Sequence, residues 1–232
     1  MRMLAGAQDA DQYADIAATF APRLIAWQRQ HGRRGLPWQH THDPYRVWLS
    51  EVMLQQTQVS TVVAYYGRFL EQFPDVIALA NASEDAVLAQ WSGLGYYSRA
   101  RNLHRCAQIV RDSYQGVFPS SKAALEQLPG IGASTAAAIV AFCFGERTSI
   151  FDANVQRVMA RLLACAADLS RSASRRSLLE RAEALLPAAK PAATRHDRMV
   201  AYTQGLMDLG ATVGLPRQPA CERCPVAGLC QA

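Results

Sequence analysis

Two carboxylates lie where the surrounding sequence could make a carboxyl group reactive. Glu51 stands among apolar residues of a predicted helix, in the segment SEVMLQQTQV at positions 50–59. A carboxyl group in that setting either reaches solvent or is desolvated, and desolvation raises its pKa toward the range of a general acid. Asp152 comes two residues before Asn154, which we predict to be the N-cap of another helix. Residue type alone leaves Glu51 open to two interpretations, a general acid or a surface carboxylate.

A glycine-rich segment, LPGIG at positions 128–132, separates two predicted helices. Gly130 and Gly132 permit backbone angles that are closed to other residues, so the chain can turn sharply and approach a ligand closely. Gly132 also leaves backbone N–H groups free at the start of the next helix, which is a natural seat for a phosphate. Such a hairpin would hold a nucleic-acid backbone without reading its sequence, and an ordinary corner between helices is the alternative.

Three cysteines are crowded near the C-terminus, where Cys221, Cys224 and Cys230 form the pattern C-x2-C-x5-C. The other three sit singly in apolar helical patterns, as buried small hydrophobes do: Cys106, Cys143 and Cys165. This distribution does not indicate a disulfide framework.

The elements that must position these residues are predicted to be helices. Apolar residues recur at helical spacing almost throughout, and no alternating strand pattern persists. We predict an all-α protein of about ten short helices. The predicted helices span residues 44–54, 59–73, 84–91, 96–114, 121–127, 133–144, 154–164, 174–186 and 194–209.

Composition favours a basic globular protein with a polyanionic partner. Half of the 232 residues are hydrophobic, 19% are charged, and the formal net charge is +5. Basic residues cluster at Arg99, Arg101, His104 and Arg105, either as a contact surface or as a solvated helix face. No run reaches the ~18 apolar residues that span a membrane, and positions 1–13 contain no apolar signal core. We therefore expect a cytoplasmic protein.

Six segments, taken together and in order, resemble the MutY-type adenine DNA glycosylases of the helix-hairpin-helix base-excision repair superfamily. They are LPW at 36–38, DPYRVWL at 43–49, SEVMLQQTQV at 50–59, WSGLGYYSRARN at 91–102, the hairpin and Asp152. The similarity runs from about residue 22 to Cys230. The SEVMLQQT segment separates this group from the endonuclease III relatives, which have no glutamate at that position.

The resemblance implies a helix-hairpin-helix DNA glycosylase fold, with two helical domains flanking a DNA-binding cleft and a C-terminal iron–sulfur loop. Residues 40–148 would form a six-helix domain with the hairpin. Residues 1–39 and 149–232 would form the second domain. The Nudix-like domain that usually follows in the family is not expected in this chain, and the preference for 8-oxoguanine over guanine would then be weaker.

The activity implied is removal of adenine mispaired with 8-oxoguanine or guanine in double-stranded DNA, by hydrolysis of the N-glycosidic bond. Glu51 would protonate the departing base and help to activate water, while Asp152 would stabilise the oxocarbenium-like sugar cation. The adenine must leave the base stack to reach these groups. Gln55 and Tyr96 match family residues that wedge into the duplex beside the flipped base.

At two positions this chain has a residue that differs from the one found in related enzymes. Ser134 stands where bifunctional endonuclease III relatives carry a lysine that attacks the sugar, and a hydroxyl cannot form that Schiff base. We therefore expect base removal without an efficient strand-cleaving lyase step. Gln156 stands where many relatives have a lysine. We expect the loss of that cation to leave base excision intact and to weaken contact with the abasic product.

The family's iron–sulfur loop reads C-x6-C-x2-C-x5-C, and the position of its first cysteine is Gly214 in this chain. The resemblance therefore implies a 4Fe–4S cluster with three of four cysteine ligands. Three outcomes stay open: a cluster with water or an added thiol on the fourth iron, a 3Fe–4S form, or no cluster, with the loop disordered or holding Zn²⁺. Arg217 and Arg223 fit the basic loop and would contact DNA phosphates.

Two other functions stay open at the level of sequence. One is a related mismatch glycosylase that removes thymine or uracil, which Glu51 disfavours because adenine excision has particular need of an acid at the leaving base. The other is a DNA-damage-binding protein whose chemistry has decayed, which the missing cysteine brings into consideration. In each case we expect a monomer.

Overall fold

The computed structural model describes residues 7–189 and 191–232, with side chains from residue 13 onward. The first six residues, part of the segment predicted to lack a signal core, lie outside the described residues. The described chain contains no strand, which confirms the predicted all-α class. Its α-helices are α1 Ala7–His31, α2 Pro44–Leu54, α3 Val59–Gln72, α4 Val76–Asn81, α5 Glu84–Trp91, α6 Ser98–Tyr114, α7 Lys122–Leu125, α8 Ala133–Phe144, α9 Ala153–Leu162, α10 Ser172–Ala184 and α11 Arg195–Thr212.

Two helices were absent from the sequence prediction, and each has a physical reason. Helix α1 continues through Pro22, although a proline in a helix interior normally argues against a helix there. Helix α4 has only 6 residues, too few to show a helical period, and it begins because the Asp75 side chain accepts a hydrogen bond from the backbone N–H of Ala78.

The chain divides into two compact units. The hairpin unit is Arg34–Phe144, and the terminal unit combines Met1–Arg33 with Gly145–Ala232. The domain limits predicted at residues 40 and 148, and the expected lack of a Nudix-like domain, stay predictions.

Helix α2 is the centre of the hairpin unit, where it packs on α3, α6 and α8. Pro44 occupies its first turn, and Asp43 caps it by accepting a hydrogen bond from the N–H of Tyr45 at 2.9 Å. Trp48 and Met53 are fully buried, and the Trp48 ring lies 5.1 Å from that of Phe118. Burial along most of its length holds α2 in one position, and this fixes the direction in which its remaining side chains point.

In the terminal unit, α11 packs on α1 and α9, and α10 packs on α9. The Phe20 and Tyr202 rings meet edge to face, with centroids 6.0 Å apart. The carboxylate of Asp208 is fully buried and lies 2.7 Å from Nε of Arg33, with Gln204 Nε2 at 2.9 Å. A buried carboxylate needs such partners, and this pair ties the end of α1 to α11.

Among the described helices, none combines the length and the apolar character needed to cross a lipid bilayer.

Candidate functional site

Glu51 lies on α2 at the edge of the hairpin-unit core. Its side chain is half-buried, and the residues that follow it, Val52 and Met53, are buried. Ser50 is buried as well, and its hydroxyl donates to the carbonyl of Val47 at 2.8 Å. Glu51 is therefore neither a core residue nor a fully solvated one.

One turn after Glu51, Gln55 follows Leu54, the last residue of helix α2. Gln55 is the C-cap residue, with extended backbone angles, and its side chain is half-buried. Gln56 follows in the left-handed region with φ of 56°, a conformation that few non-glycine residues adopt. The chain therefore turns sharply beside Gln55 before α3 begins.

Tyr96 lies in the turn that leads into α6. Its φ is 47° and its side chain is 59% exposed, so the ring stands out from the surface. Predicted as the first residue of this helix, it instead precedes the helix, which begins at Ser98. The turn is well defined because Trp91 Nε1 donates to the carbonyl of Gly95 at 3.1 Å, and a Cβ at Gly93 would overlap the hydroxyl of Tyr65.

The glycine hairpin has the predicted position between α7 and α8, but its two glycines differ. Gly130 adopts φ of 78°, and a Cβ there would lie 2.9 Å from Cβ of Asn102. Gly132 is exposed, has no positive φ, and has open space where a side chain would be. Gly130 is therefore required by backbone and packing, whereas Gly132 leaves room for the close approach of a ligand. Ser134 is half-buried in the first turn of α8.

Asp152 is itself the N-cap of α9, so the prediction that Asn154 caps this helix was wrong. The Asp152 Oδ1 atom accepts a hydrogen bond from the backbone N–H of Val155 at 2.8 Å. Asn154 lies inside the first turn, where its Oδ1 accepts from Arg157 Nη2 at 2.7 Å. Asp152 is exposed, and its carboxylate stands at the positive end of the helix dipole. The Gln156 amide folds back and donates to the carbonyl of Phe151 at 2.9 Å.

The segment before the cysteines is held by two arginines of α9. The Gly214 carbonyl accepts from Arg157 Nε at 2.8 Å and from Arg161 Nη1 at 3.1 Å. Arg161 Nη1 also donates to the carbonyl of Leu215 at 2.9 Å. A Cβ at Gly214 would lie 3.1 Å from Cγ2 of Val158, a tight contact. Sequence reasoning did not identify Arg157 or Arg161 as residues that anchor this segment.

The cysteine loop does not form a complete four-thiolate site. Cys221 and Cys230 are exposed and Cys224 is half-buried, and burial raises the pKa of the Cys224 thiol. Position 214 carries no side chain that could bind iron. Within the described part of the chain, no group of three or more His, Cys, Asp or Glu side chains is arranged to hold a metal ion. Arg217 and Arg223, beside these cysteines, are exposed.

The basic cluster of α6 is not one surface. Arg101 and Arg105 are exposed, but Arg99 and His104 are buried. The helical period explains this, because Arg99 shares its face with the buried residues Leu103, Cys106 and Val110. That spacing was present in the sequence and would have placed Arg99 in the interior.

The chain is similar to known DNA repair proteins along most of its length. Residues 49–184 match the family model for HhH-GPD superfamily base excision DNA repair proteins. Residues 215–230 match the iron-sulfur binding domain of endonuclease III, a span that contains the three cysteines and begins just after Gly214. The solved structure of a thermostable thymine-DNA glycosylase is 27% identical to this chain, with a TM-score of 0.81 over 94% of this chain and 96% of that one.

Among curated proteins, the adenine DNA glycosylase of Buchnera aphidicola subsp. Baizongia pistaciae is 38% identical over 213 residues. That alignment covers 92% of this chain and 58% of the relative. The human adenine DNA glycosylase is 40% identical over 231 residues, which are 95% of this chain and 41% of the human protein. The chain thus spans about half the length of these relatives. The predicted family and fold are confirmed.

Proposed function

Since this chain belongs to the HhH-GPD superfamily of base excision DNA repair proteins, we propose that it is a DNA glycosylase that removes adenine. Its substrate would be double-stranded DNA in which adenine is mispaired with 8-oxoguanine or guanine. One observation carries this proposal: the identity of 38% and 40% to adenine DNA glycosylases extends over more than nine-tenths of the chain. Both alignments cover so much of the chain that they include the segment with Glu51, and this segment supports adenine as the base.

We assign Glu51 as the general acid. Its carboxyl group would transfer a proton to a ring nitrogen of the adenine, so the base departs as a neutral molecule with both electrons of the C1′–N bond. Water would then add to C1′ of the sugar cation and return a proton to the Glu51 carboxylate. The half-buried position of Glu51, at the edge of the hairpin-unit core, supports this role.

We assign Asp152 as the anionic group that stabilises the sugar cation. One of its carboxylate oxygens is held by the N–H of Val155, which fixes the side chain in one orientation. The side chain is nevertheless exposed, so its negative charge can face a ligand. A preorganised charge of this kind stabilises a developing cation without reorganisation cost.

We assign the exposed hairpin as the seat of a DNA phosphate. Gly132 and Ser134 stand at the N-terminus of α8, where backbone N–H groups favour an anion, and Gly130 makes the turn that brings them there. The exposed guanidinium groups of Arg217 and Arg223 would bind further phosphates. Gln55 and Tyr96 would enter the base stack.

We further propose that Ser134 makes the enzyme monofunctional, which means that it removes the base without cleaving the DNA strand. It stands in the first turn of α8, and its hydroxyl cannot form the imine on which a lyase step depends. We expect borohydride to trap little covalent protein–DNA adduct, and an intact abasic strand to be the product.

We also propose that Cys221, Cys224 and Cys230 bind an iron–sulfur cluster in which one iron lacks a protein thiolate. The match of residues 215–230 to an iron-sulfur binding domain supports a cluster, and Gly214 determines the incomplete ligand set. No catalytic step passes through this group. The remaining expectations are that the protein is monomeric and cytoplasmic.

The test is single-turnover base release, with protein in excess over a duplex that carries adenine opposite 8-oxoguanine or guanine. We expect release of adenine and an alkali-labile strand. Glu51→Gln is the matched control, because it keeps the size of the side chain and removes the acid. This variant should bind the duplex like the wild-type protein and release no base.

The same assay distinguishes the second candidate function, which the similarity to a thymine-DNA glycosylase structure favours. Duplexes with thymine or uracil opposite guanine are run in parallel. Release of thymine or uracil without adenine would replace the proposed function by a pyrimidine-mismatch glycosylase. Tight binding without release from any duplex would indicate a damage-binding protein.

A further inference from the structure

We propose that Arg99 is a positioning residue that fixes the spacing between Gln55 and Tyr96, the two residues that are assigned to enter the base stack. The inference rests on the proposed function, because it deepens the roles assigned to those two residues. Arg99 touches neither the reacting atoms nor the surface of the duplex in this scheme, since its side chain is only 8% exposed. It would act through the backbone of the two segments that carry Gln55 and Tyr96.

The first contact of Arg99 is with the C-terminal end of α2. Its Nη1 atom donates to the carbonyls of Val52 and Met53, each at 2.9 Å, and to the carbonyl of Gln55. Its Nη2 atom donates to Oγ1 of Thr57 at 3.0 Å. The last carbonyls of a helix have no partner within it, and a cation there also complements the helix dipole. Arg99 therefore sets where α2 ends, and with it the direction of Gln55.

The second contact is with the turn that carries Tyr96. The same Nη2 atom donates to the carbonyls of Leu94 at 3.2 Å and Gly95 at 3.3 Å. The guanidinium carbon lies 5.5 Å from the centroid of the Tyr96 ring and 5.3 Å from that of Trp91, within the range of cation–π attraction. One planar cation therefore joins two segments that are far apart in sequence.

Both segments adopt backbone conformations that need support. Gln56 and Tyr96 have φ of 56° and 47°, in the left-handed region that is costly for residues with a side chain. Two of the carbonyls that Arg99 binds, those of Gln55 and Gly95, belong to the residues directly before Gln56 and Tyr96. Without the guanidinium, both turns would relax toward ordinary angles, and the spacing between Gln55 and Tyr96 would be lost.

Lysine cannot replace this arginine. Its ammonium group is a single point with three donors, whereas the guanidinium spreads its donors over a rigid plane that faces both segments. Arg99→Lys keeps the positive charge and removes the planar set of hydrogen-bond donors, so it tests the geometry of the contact and not its charge. Arg105→Lys is the matched control, since Arg105 is exposed on the same helix and lies outside the proposed machinery.

The first measurement does not depend on DNA. We expect amide hydrogen exchange to become faster in residues 55–57 and 94–97 of Arg99→Lys, while α8 and the terminal unit keep their protection. The control Arg105→Lys should exchange like the wild-type protein. Unchanged protection of both turns in Arg99→Lys would overturn the positioning role, whatever the enzyme's substrate.

The second measurement reports base extrusion. The target adenine is replaced by 2-aminopurine in the Glu51→Gln background, and the rise in its fluorescence on binding measures unstacking. We expect Arg99→Lys to reduce this rise strongly and to lower single-turnover adenine release by about tenfold or more, since small misplacements cost large factors in rate. Affinity for an undamaged duplex should change less than about twofold, because phosphate contacts dominate it.

The third measurement separates positioning from general damage to the fold. A target adenine beside a tandem mismatch is already partly unstacked, so less work is needed to extrude it. We expect this substrate to restore most of the rate that Arg99→Lys loses. An equal loss on both substrates would contradict the inference. A wild-type protein that releases no adenine would instead contradict the proposed function, and the hydrogen-exchange result would then still decide whether Arg99 holds the two turns.

Discussion

Asp152 combines a structural and a proposed catalytic role in one side chain. Its Oδ1 caps α9, and its exposed carboxylate supplies the negative charge assigned to the sugar cation. The two roles depend on different properties, because a cap needs only an acceptor oxygen whereas a cation needs a charge. Substitutions can therefore separate them.

Asp152→Asn should keep the cap and lose the charge. We expect the free energy of unfolding to change by less than ~0.5 kcal/mol, since asparagine caps helices as well as aspartate does. Adenine release in single turnover should fall by about 10²-fold or more, as when other preorganised charge-stabilising groups are removed. Asp152→Ala should lose the rate to a similar extent and also lower the free energy of unfolding by ~1 kcal/mol, because the cap is gone.

Urea denaturation and the release assay together check this prediction. If Asp152→Asn released adenine at the wild-type rate, the assignment of Asp152 to the sugar cation would be wrong. The cap itself would be unaffected by that result.

At the scale of elements, α9 links Asp152 to the segment before the cysteine loop. Asp152 caps the first turn of the helix, and Arg157 and Arg161 further along bind the carbonyl of Gly214. The position that would carry the first cysteine of the loop is therefore held by hydrogen bonds from the protein. This explains how a chain with Gly214 can keep the segment ordered without a fourth thiolate.

A fourth thiol can be introduced at this position. Gly214→Cys alone would place its Cβ 3.1 Å from Cγ2 of Val158, so we pair it with Val158→Ala, which removes that atom. We expect wild-type protein to contain less iron and sulfide than a full cluster and to lose iron rapidly to a chelator. The double variant should approach about four irons per chain and retain them longer.

Gly214→Ser with Val158→Ala is the control, because serine adds similar bulk without a thiolate. Iron analysis and the visible absorption spectrum supply the readout. If the wild-type protein contained no iron and the double variant Gly214→Cys with Val158→Ala contained none either, the three cysteines would hold no cluster.

At the scale of the whole molecule, the excess of positive charge favours DNA without specifying a sequence. The formal net charge is +5, and the exposed arginines beside the cysteines add to the field at that surface. Binding to an undamaged duplex should therefore weaken as salt concentration rises, because bound phosphates release their counterions.

The variants Arg217→Ala and Arg223→Ala test whether these two charges contribute to DNA binding. Each variant should reduce the slope of log affinity against log salt concentration by ~0.9 if its arginine binds one phosphate. The comparison is Arg68→Ala, whose exposed guanidinium stacks on Tyr65 and has no assigned contact with DNA. Fluorescence anisotropy over a salt series measures the slopes. Equal slopes for all three variants and the wild-type protein would remove Arg217 and Arg223 from the interface.

Local features of the sequence determined most of the elements. The limits predicted for α2 and α8 match the structure, because Pro44, Asp43 and the glycine hairpin act on the residues beside them. Capping, proline and glycine effects extend over a few residues only and can be read from the chain. The segment with Glu51 and the spacing of the cysteines were likewise visible in the sequence.

Only the tertiary structure decided where the polar groups of the interior point. Arg99 was grouped with surface arginines, but it is buried because it satisfies backbone carbonyls of α2 and of the turn before Tyr96. Arg157 and Arg161 became anchors because α9 brings them beside the segment of Gly214. A buried cation is stable only when acceptors from distant parts of the chain surround it, and no local sequence pattern records which carbonyls those will be.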